Sequence, residues 1–222
     1  GKCGLFIGQD IFKDVNGNSL HEEFFKSISG RKIEYDEKDG FFLPGTDKQI
    51  ETKALNFYTK KFYLQNKLAY DLLYKLAQIP FALIVQISPD NTMQQIFENY
   101  NKIHEFKCYK PNEKQECCEP SIENPVIYNL LGNAASNGKY IYTHEQFYKY
   151  VNEEQAVKIP VEIEDKIKDV PNYLFIGIDF NKWYNRLLLF TLNLYENAEA
   201  YTFNSKSTDS FIQNFLIENR KR

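Results

Sequence analysis

Two apolar stretches decide the fold: residues 124–151, NPVIYNLLGNAASNGKYIYTHEQFYKYV, and residues 173–190, YLFIGIDFNKWYNRLLLF. In each of them, a run of β-branched and aromatic residues about as long as a strand is followed by apolar residues at helical spacing. Strands and helices therefore alternate through this half of the chain, and that alternation is typical of an α/β fold.

The elements predicted in this half follow from the same patterns. Strands are expected at 125–132 and 139–142, and a helix that opens with the capping box Thr-His-Glu-Gln is expected at 143–152. A buried strand is predicted at 173–179. The helix predicted at 181–195 is apolar on almost all sides, which favours a position inside the molecule.

The rest of the chain continues the alternation. Further strands are predicted at 3–7, 81–87, 102–110 and 198–203, and further helices at 19–29, 50–79 (two helices), 91–101, 162–169 and 208–219. We predict one Rossmann-like α/β domain over 1–222, with a mainly parallel sheet flanked by helices. Residues 31–66 and 102–124 are expected to be insertions or a smaller subdomain, and 31–53 is expected to be irregular.

Composition narrows the functional classes. Of the 222 residues 43% are hydrophobic, and the net charge is −3, so the chain can bury one sizeable core and gives no nucleic-acid signal. No stretch approaches the ~20 apolar residues of a membrane span, and no signal-peptide pattern opens the chain, which predicts a cytoplasmic protein. Because the chain begins with Gly1 instead of Met, we expect it to be part of a larger protein. Sixteen Tyr and eighteen Phe favour a protein partner or self-association.

The four cysteines predict free thiols. Cys3, Cys108, Cys117 and Cys118 are too few for a disulfide framework in a chain of this length. A structural zinc site usually takes two Cys-x-x-Cys pairs, and two adjacent cysteines are not expected to face one ion. The sequence therefore predicts no metal site.

Three predicted strand ends mark the place where a ligand would bind. In parallel α/β sheets ligands bind at the carboxyl ends of the strands, and here these ends are Gly-Gln-Asp at 8–10, Ser-Pro-Asp at 88–90 and Leu-Leu-Gly at 130–132. The candidate nucleotide-binding residues are Gly8, Gln9, Asp10, Ser88, Asp90 and Gly132.

The two quoted stretches resemble the second half of sirtuin-like domains of the bacterial defence-associated type. In that family a strand ending in Leu-His-Gly leads to a second strand and a Thr-initiated helix, and a segment Phe-x-Gly-[Tyr/Phe]-Ser-x-x-Asp-Trp-x-x-Arg-x-Leu-Leu follows. Residues 130–132 and 175–189 take these places here. The resemblance implies a fold that binds NAD or ADP-ribose, a His that acts as base on the ribose hydroxyls, and an Asn that positions ribose and water.

The residues that carry the family's chemistry are replaced. Leu131 takes the place of the His, and leucine cannot accept a proton. Ser88 takes the place of the Asn, and Gln9 and Asp10 follow Gly8 where the family has small residues. A carboxylate there repels a phosphate by ~1 kcal/mol at 4 Å in water and ~4 kcal/mol near a protein surface. These replacements therefore imply a sirtuin-like domain that lacks the family's catalytic residues.

Other residues offer alternatives. His144 is the histidine closest in sequence to the family's base position, but a solvent-facing histidine at a helix start is expected. Asp10 and Asp90 could form a carboxylate pair, although separate structural roles are favoured. Ser88 lacks an identifiable base and precedes a proline, which does not match a nucleophile elbow.

Three residues of the second stretch have structural predictions. Asp179 stands where the family has Ser, and we expect it to cap the following helix. Trp183 is expected to pack in the core. Arg186 is expected to form an ion pair.

Three hypotheses of different classes remain open at this point. The first is a non-catalytic sirtuin-like domain that acts in sensing, scaffolding or oligomerisation within a prokaryotic, anti-phage defence type of protein. The second is an active NAD-hydrolysing enzyme with a rearranged site. The third is an unrelated α/β nucleotide-binding sensor, because fold alone does not define function.

Overall fold

Six parallel strands form one sheet at the centre of the protein. The computed structural model describes residues 2–13, 16–29, 33–43, 48–65, 70–111, 113, 115–134, 140–152, 159–192 and 199–203. The strands are β1 (Gly4–Ile7), β2 (Glu34–Asp36), β3 (Phe41–Leu43), β4 (Leu83–Gln86), β5 (Glu105–Cys108), β6 (Val126–Asn129), β7 (Asn172–Ile176) and β8 (Glu199–Phe203). The helices are α1 (Leu20–Ile28), α2 (Lys48–Gln65), α3 (Tyr70–Ala77), α4 (Thr92–Asn99), α5 (His144–Asn152), α6 (Val161–Asp169) and α7 (Trp183–Thr191).

The order of the strands is β5-β6-β4-β1-β7-β8, and every neighbouring pair is parallel. From β1 the chain first builds the β4 side of the sheet and then crosses to the β7 side. The direction of winding therefore reverses next to β1, and such a reversal opens a crevice outside the carboxyl ends of the strands. The predicted Rossmann-like α/β class is confirmed.

Both faces of the sheet are covered, because alternate strand residues point to opposite sides. Phe6 belongs to the core on one face, which also receives the apolar sides of α5, α6 and α7. Leu5 and Ile7 belong to the core on the other face, which is covered by α3 and α4. All three side chains of β1 are fully buried, and burial of an aliphatic side chain of this size stabilises the fold by ~1.5–3 kcal/mol.

Local capping agrees with the sequence at the start of α5. The Thr143 hydroxyl accepts from the Gln146 amide at 3.3 Å, and Gln146 Oε1 accepts from the Thr143 amide at 3.1 Å. These two bonds form the predicted capping box of α5. Asp90 Oδ1 accepts from the Thr92 amide at 2.9 Å, so its carboxylate satisfies an otherwise unpaired N–H at the start of α4.

Residues 31–53, predicted to be irregular, contain the hairpin β2–β3 and the start of α2. Asp36 Oδ1 accepts from the amides of Lys38 and Asp39 at 2.9 and 3.2 Å, and Gly40 has φ +73°. The carboxylate and the left-handed glycine close the turn between two strands of three residues each. The prediction of an irregular segment was wrong.

Residues 140–142 are buried, but they do not pair as a strand of the sheet. Instead the segment lies across the carboxyl ends of the strands, where the Ile141 amide donates to Leu131 O at 3.0 Å and Tyr142 O accepts from the Phe42 amide at 2.8 Å. The prediction of a strand here was wrong. Residue 139 lies outside the described residues.

The remaining predicted strands and helices are present, apart from the helix at 208–219, which lies outside the part of the chain that the structure describes. Two of their predicted positions were wrong: α7 does not lie inside the molecule, since Phe190 is 58% exposed, and β7 alternates buried and half-buried residues. No helix within the described ranges has the length and apolar character needed to cross a membrane.

Candidate functional site

The carboxyl ends of three central strands bring together the residues Gly8, Ser88 and Leu131. They follow β1, β4 and β6, which are neighbours in the order of the strands. The amides of Ile87 and Leu130 donate to carbonyls of the adjacent strand, both at 2.8 Å, so the pairing continues past the strands. The strand ends identified in the sequence are therefore brought together at the position expected for a ligand site.

Side chains of the protein itself occupy the space at the carboxyl ends of these strands. Tyr140, only 4% exposed, donates its hydroxyl proton to Ile87 O at 3.1 Å. The same hydroxyl oxygen accepts from Gln9 Nε2 at 2.8 Å. The Tyr140 side chain therefore joins the end of β1 to the end of β4 across the strand ends.

The loop after β1 uses its amides within the protein. Residues Gln9–Ile11 form a single 3-10 turn. The amides of Gly8 and Asp10 donate to Ile176 O and Gly177 O, each at 2.9 Å. A pyrophosphate-binding loop needs backbone N–H groups that point at the ligand, and these two are already bonded to the end of β7.

Close packing between two turns explains the glycine at position 8. A Cβ atom on Gly8 would overlap the carbonyl oxygen of Gly177 and would lie 2.7 Å from Ile178 Cγ1. Conversely, a Cβ on Gly177 would overlap the backbone and side chain of Ile11, and Gly177 has φ +67°. Both positions therefore require glycine for the fold itself.

The loop after β4 is buried. Ser88 and Asp90 are 1% and 2% exposed. Asn129 Nδ2 donates to Asp90 O at 2.7 Å and to Ser88 O at 3.4 Å. Within the described ranges, Ser88 Oγ, Asp90 Oδ2 and the side-chain amide of Gln86 are buried without a hydrogen-bond partner.

The third strand end offers no titratable group. Leu131 is 2% exposed and belongs to the apolar core. Gly132 has φ +93°, and its amide donates to Asn129 O at 3.3 Å in the turn that ends β6. Leu131 therefore has a packing role.

An open crevice of about 360 Å³ lies at the ends of β1 and β7, where the winding reverses. Its lining includes four carboxylates and two ammonium groups: Asp10, Glu22, Glu23, Asp179, Lys13 and Lys26. Burial, followed by the charge of Asp179, raises the pKa of the Asp10 carboxyl. The crevice is therefore unfavourable for a further negative charge beside Asp10.

A narrower continuation of the crevice contains residues that the sequence did not mark as site residues. Lys182, the N-cap of α7, forms an ion pair with Glu22 of α1. Asn185 is 6% exposed, and its Nδ2 donates to Asp179 O at 2.9 Å. These residues line the continuation together with Gly177. Only the position of β7 beside β1 reveals them, because nothing in the sequence sets the order of the strands.

None of the three histidines is among the residues that line the crevice or its narrow continuation. His21 is 2% exposed, and its Nδ1 lies 2.6 Å from the Tyr63 hydroxyl. Burial, and secondarily the charge of Lys182, lowers the pKa of His21 to about 3. His104 Nδ1 donates to a backbone carbonyl at 2.9 Å.

His144, the alternative considered from the sequence, faces the β2–β3 turn. Its Nε2 lies 3.0 Å from Asp39 Oδ2, and its ring stacks on Trp183 with centroids 6.3 Å apart. It is not among the residues that line the crevice or its narrow continuation. Trp183 also contacts Phe147 and Tyr184 edge-on, in agreement with a packing role.

Two predictions about the start of α7 need correction. Asp179 does not cap the helix directly: its Oδ1 accepts from the backbone and side-chain amides of Asn181, both at 2.9 Å, and Lys182 is the N-cap. Arg186 donates to Phe180 O at 2.6 Å and Asn181 O at 3.0 Å. Its guanidinium thus binds backbone carbonyls of the turn instead of the acidic partner predicted for it.

The fold and the site define a Rossmann-like α/β protein whose strand ends are bridged by its own side chains. No protein-family model matches the chain, and no curated protein matches it either.

Proposed function

We propose that the chain is a non-catalytic sirtuin-like domain that acts through protein contacts, as a scaffold or oligomerisation module within a defence-type protein. The observation that carries this proposal is the buried Tyr140 hydroxyl, which bridges Gln9 and Ile87 O over the strand ends where the family binds NAD. The common edge shared by Gly8, Ser88 and Leu131 is what the resemblance leads us to expect, and it supports the family assignment.

Hydrolysis of NAD needs a proton acceptor at the ribose and donors at the pyrophosphate. At the family's base position stands Leu131, which packs in the core. The amides of Gly8 and Asp10 donate to the end of β7. A core side chain stands where the reaction needs a base, and the amides that could bind the pyrophosphate are already hydrogen-bonded within the protein. Both observations support a domain that does not turn NAD over.

The charge of the crevice supports the same proposal. Four carboxylates line the open part, and Glu22 is the ion-pair partner of Lys182, which lines the narrow part. Lys26 pairs with Glu37 at 2.9 Å. Two of the cations near the crevice are thus engaged with carboxylates, which leaves little positive potential for the two phosphates of a dinucleotide.

The exposed apolar surface favours protein contacts as the mode of action. Tyr74 of α3 and Tyr100 after α4 have ring centroids 4.7 Å apart, and Tyr100 is 48% exposed. Ile103, in the same connection, is 72% exposed. Exposed aromatic and aliphatic side chains of this size are typical of the surfaces by which proteins associate.

The proposal is tested by incubating the purified chain with NAD and measuring free nicotinamide and ADP-ribose by chromatography. We expect both products to stay at the level of the protein-free blank, because Leu131 packs in the core at the proposed base position and the amides of Gly8 and Asp10 are bonded within the protein. An active sirtuin-like hydrolase under the same conditions is the positive control. Turnover that disappears in His144→Ala would instead identify an active enzyme with a rearranged site.

A further inference from the structure

Two adjacent thiols and a carboxylate meet beside the edge strand of the sheet. Cys117 and Cys118 lie in the irregular segment after β5, and Glu105 is the first residue of β5. One ligand atom of each of the three side chains lies within 4.8 Å of the other two. Although two adjacent cysteines are not expected to face one ion, both sulfur atoms here approach the same carboxylate.

Several hydrogen bonds hold this arrangement in place. The Cys118 amide donates to Glu105 Oε2 at 2.8 Å, which fixes the segment against β5. Asn124 Nδ2 donates to Cys118 Sγ at 3.1 Å, and the Asn124 amide donates to Ser121 Oγ at 3.0 Å. The donor atoms therefore sit on a folded loop that is tied to a strand, as a preorganised metal site requires.

The carboxylate of the cluster is paired with a lysine. Among the described residues, Lys107 Nζ lies 3.0 Å from Glu105 Oε1. Neutral thiols beside a carboxylate become thiolates when a cation of higher charge binds among them, because the cation stabilises the deprotonated form.

We propose that Cys117, Cys118 and Glu105 bind a thiophilic divalent cation, with Zn²⁺ as the physiological candidate. Two thiolates and a carboxylate form a donor set that suits zinc and cadmium and does not suit magnesium or calcium, which bind oxygen ligands. None of the three ligands lines the crevice at the end of β1. A bound ion would stabilise the loop over 115–124 against the edge strand β5. The proposal does not depend on the proposed function.

The test is a titration of the reduced, metal-free chain with Cd²⁺, followed by ultraviolet absorption of the thiolate-to-metal charge-transfer band. We expect saturation at one ion per chain, release of about two protons per ion, and displacement of Cd²⁺ by Zn²⁺. Cys117→Ser and Cys118→Ser should each weaken binding by about 100-fold or more, and Glu105→Gln by about 10-fold.

The matched control is Cys3→Ser, which removes the thiol immediately before β1 and should leave the affinity for Cd²⁺ unchanged. Circular dichroism of each apo variant establishes that the fold is kept, and Glu105→Gln retains an acceptor for the Cys118 amide. The proposal is overturned if the wild-type chain shows no charge-transfer band with Cd²⁺ in slight excess. It is equally overturned if the Cys117→Ser and Cys118→Ser variants bind as tightly as Cys3→Ser.

Discussion

Gly8→Ala is expected to destabilise the protein by ~3 kcal/mol or more, at the upper end of the range for overpacked sites. The added methyl group would overlap the carbonyl oxygen of Gly177, which is backbone and cannot rotate away. The amides of Gly8 and Asp10 bond to the same turn, so moving it also strains the pairing of β1 with β7. Urea denaturation followed by circular dichroism measures the effect.

Gly17→Ala is the matched control for this substitution. Gly17 has φ +84°, and a Cβ there would meet no atom within 4 Å. The expected cost is ~1 kcal/mol, from backbone conformation alone. If Gly8 were glycine only to let a phosphate approach, Gly8→Ala would fold as well as Gly17→Ala, and equal midpoints for the two variants would refute the packing explanation.

His21 should make the protein lose stability as the pH falls below 6.5. Burial lowers the pKa of the folded-state imidazole from 6.5 to about 3, so the unfolded chain binds a proton that the folded chain does not. The contribution is fully present above pH 6.5, and it is lost at up to ~1.4 kcal/mol per pH unit below that. Between pH 6.5 and 5 the free energy of unfolding should fall by ~2 kcal/mol from this residue. Asp10, whose pKa is raised, acts in the opposite sense.

The His21→Gln variant isolates this effect, because glutamine does not titrate and can still bond to the Tyr63 hydroxyl. Its free energy of unfolding should decline less between pH 6.5 and 5, by the ~2 kcal/mol assigned to the imidazole. Tyr63→Phe keeps the buried imidazole and should retain the wild-type decline. Identical pH profiles for the wild type and His21→Gln would show that the imidazole is not buried in its neutral form.

Patterns local to the chain predicted most of the framework. The apolar runs that became β1, β4 and β6 are fully buried parallel strands, and such strands have continuous apolar sequences. The capping box at Thr143 specified the start of α5 through bonds between residues three apart. In both cases the deciding interactions join residues that are close in sequence, or they depend on burial alone.

Interactions between distant residues could not be predicted in the same way. Residues 139–142 were predicted to be a strand, but the bond from Tyr140 to Ile87 O joins residues 53 apart in the chain. The contact of Gly8 with Gly177 depends on β7 lying beside β1. The sequence therefore indicated which residues end the strands, while the groups that close the strand ends became known only from the topology.

Thermal unfolding in the presence of NAD and of ADP-ribose most directly tests whether the protein's own side chains close the carboxyl ends of the strands. A ligand present at 100 times its dissociation constant adds ~2.7 kcal/mol to the free energy of unfolding. With Gln9, Tyr140 and Ile87 bonded to one another across the edge, we predict no change in the midpoint at millimolar NAD or ADP-ribose. A saturable rise in the midpoint with either compound would contradict the account, because it would require a nucleotide site that these side chains do not fill.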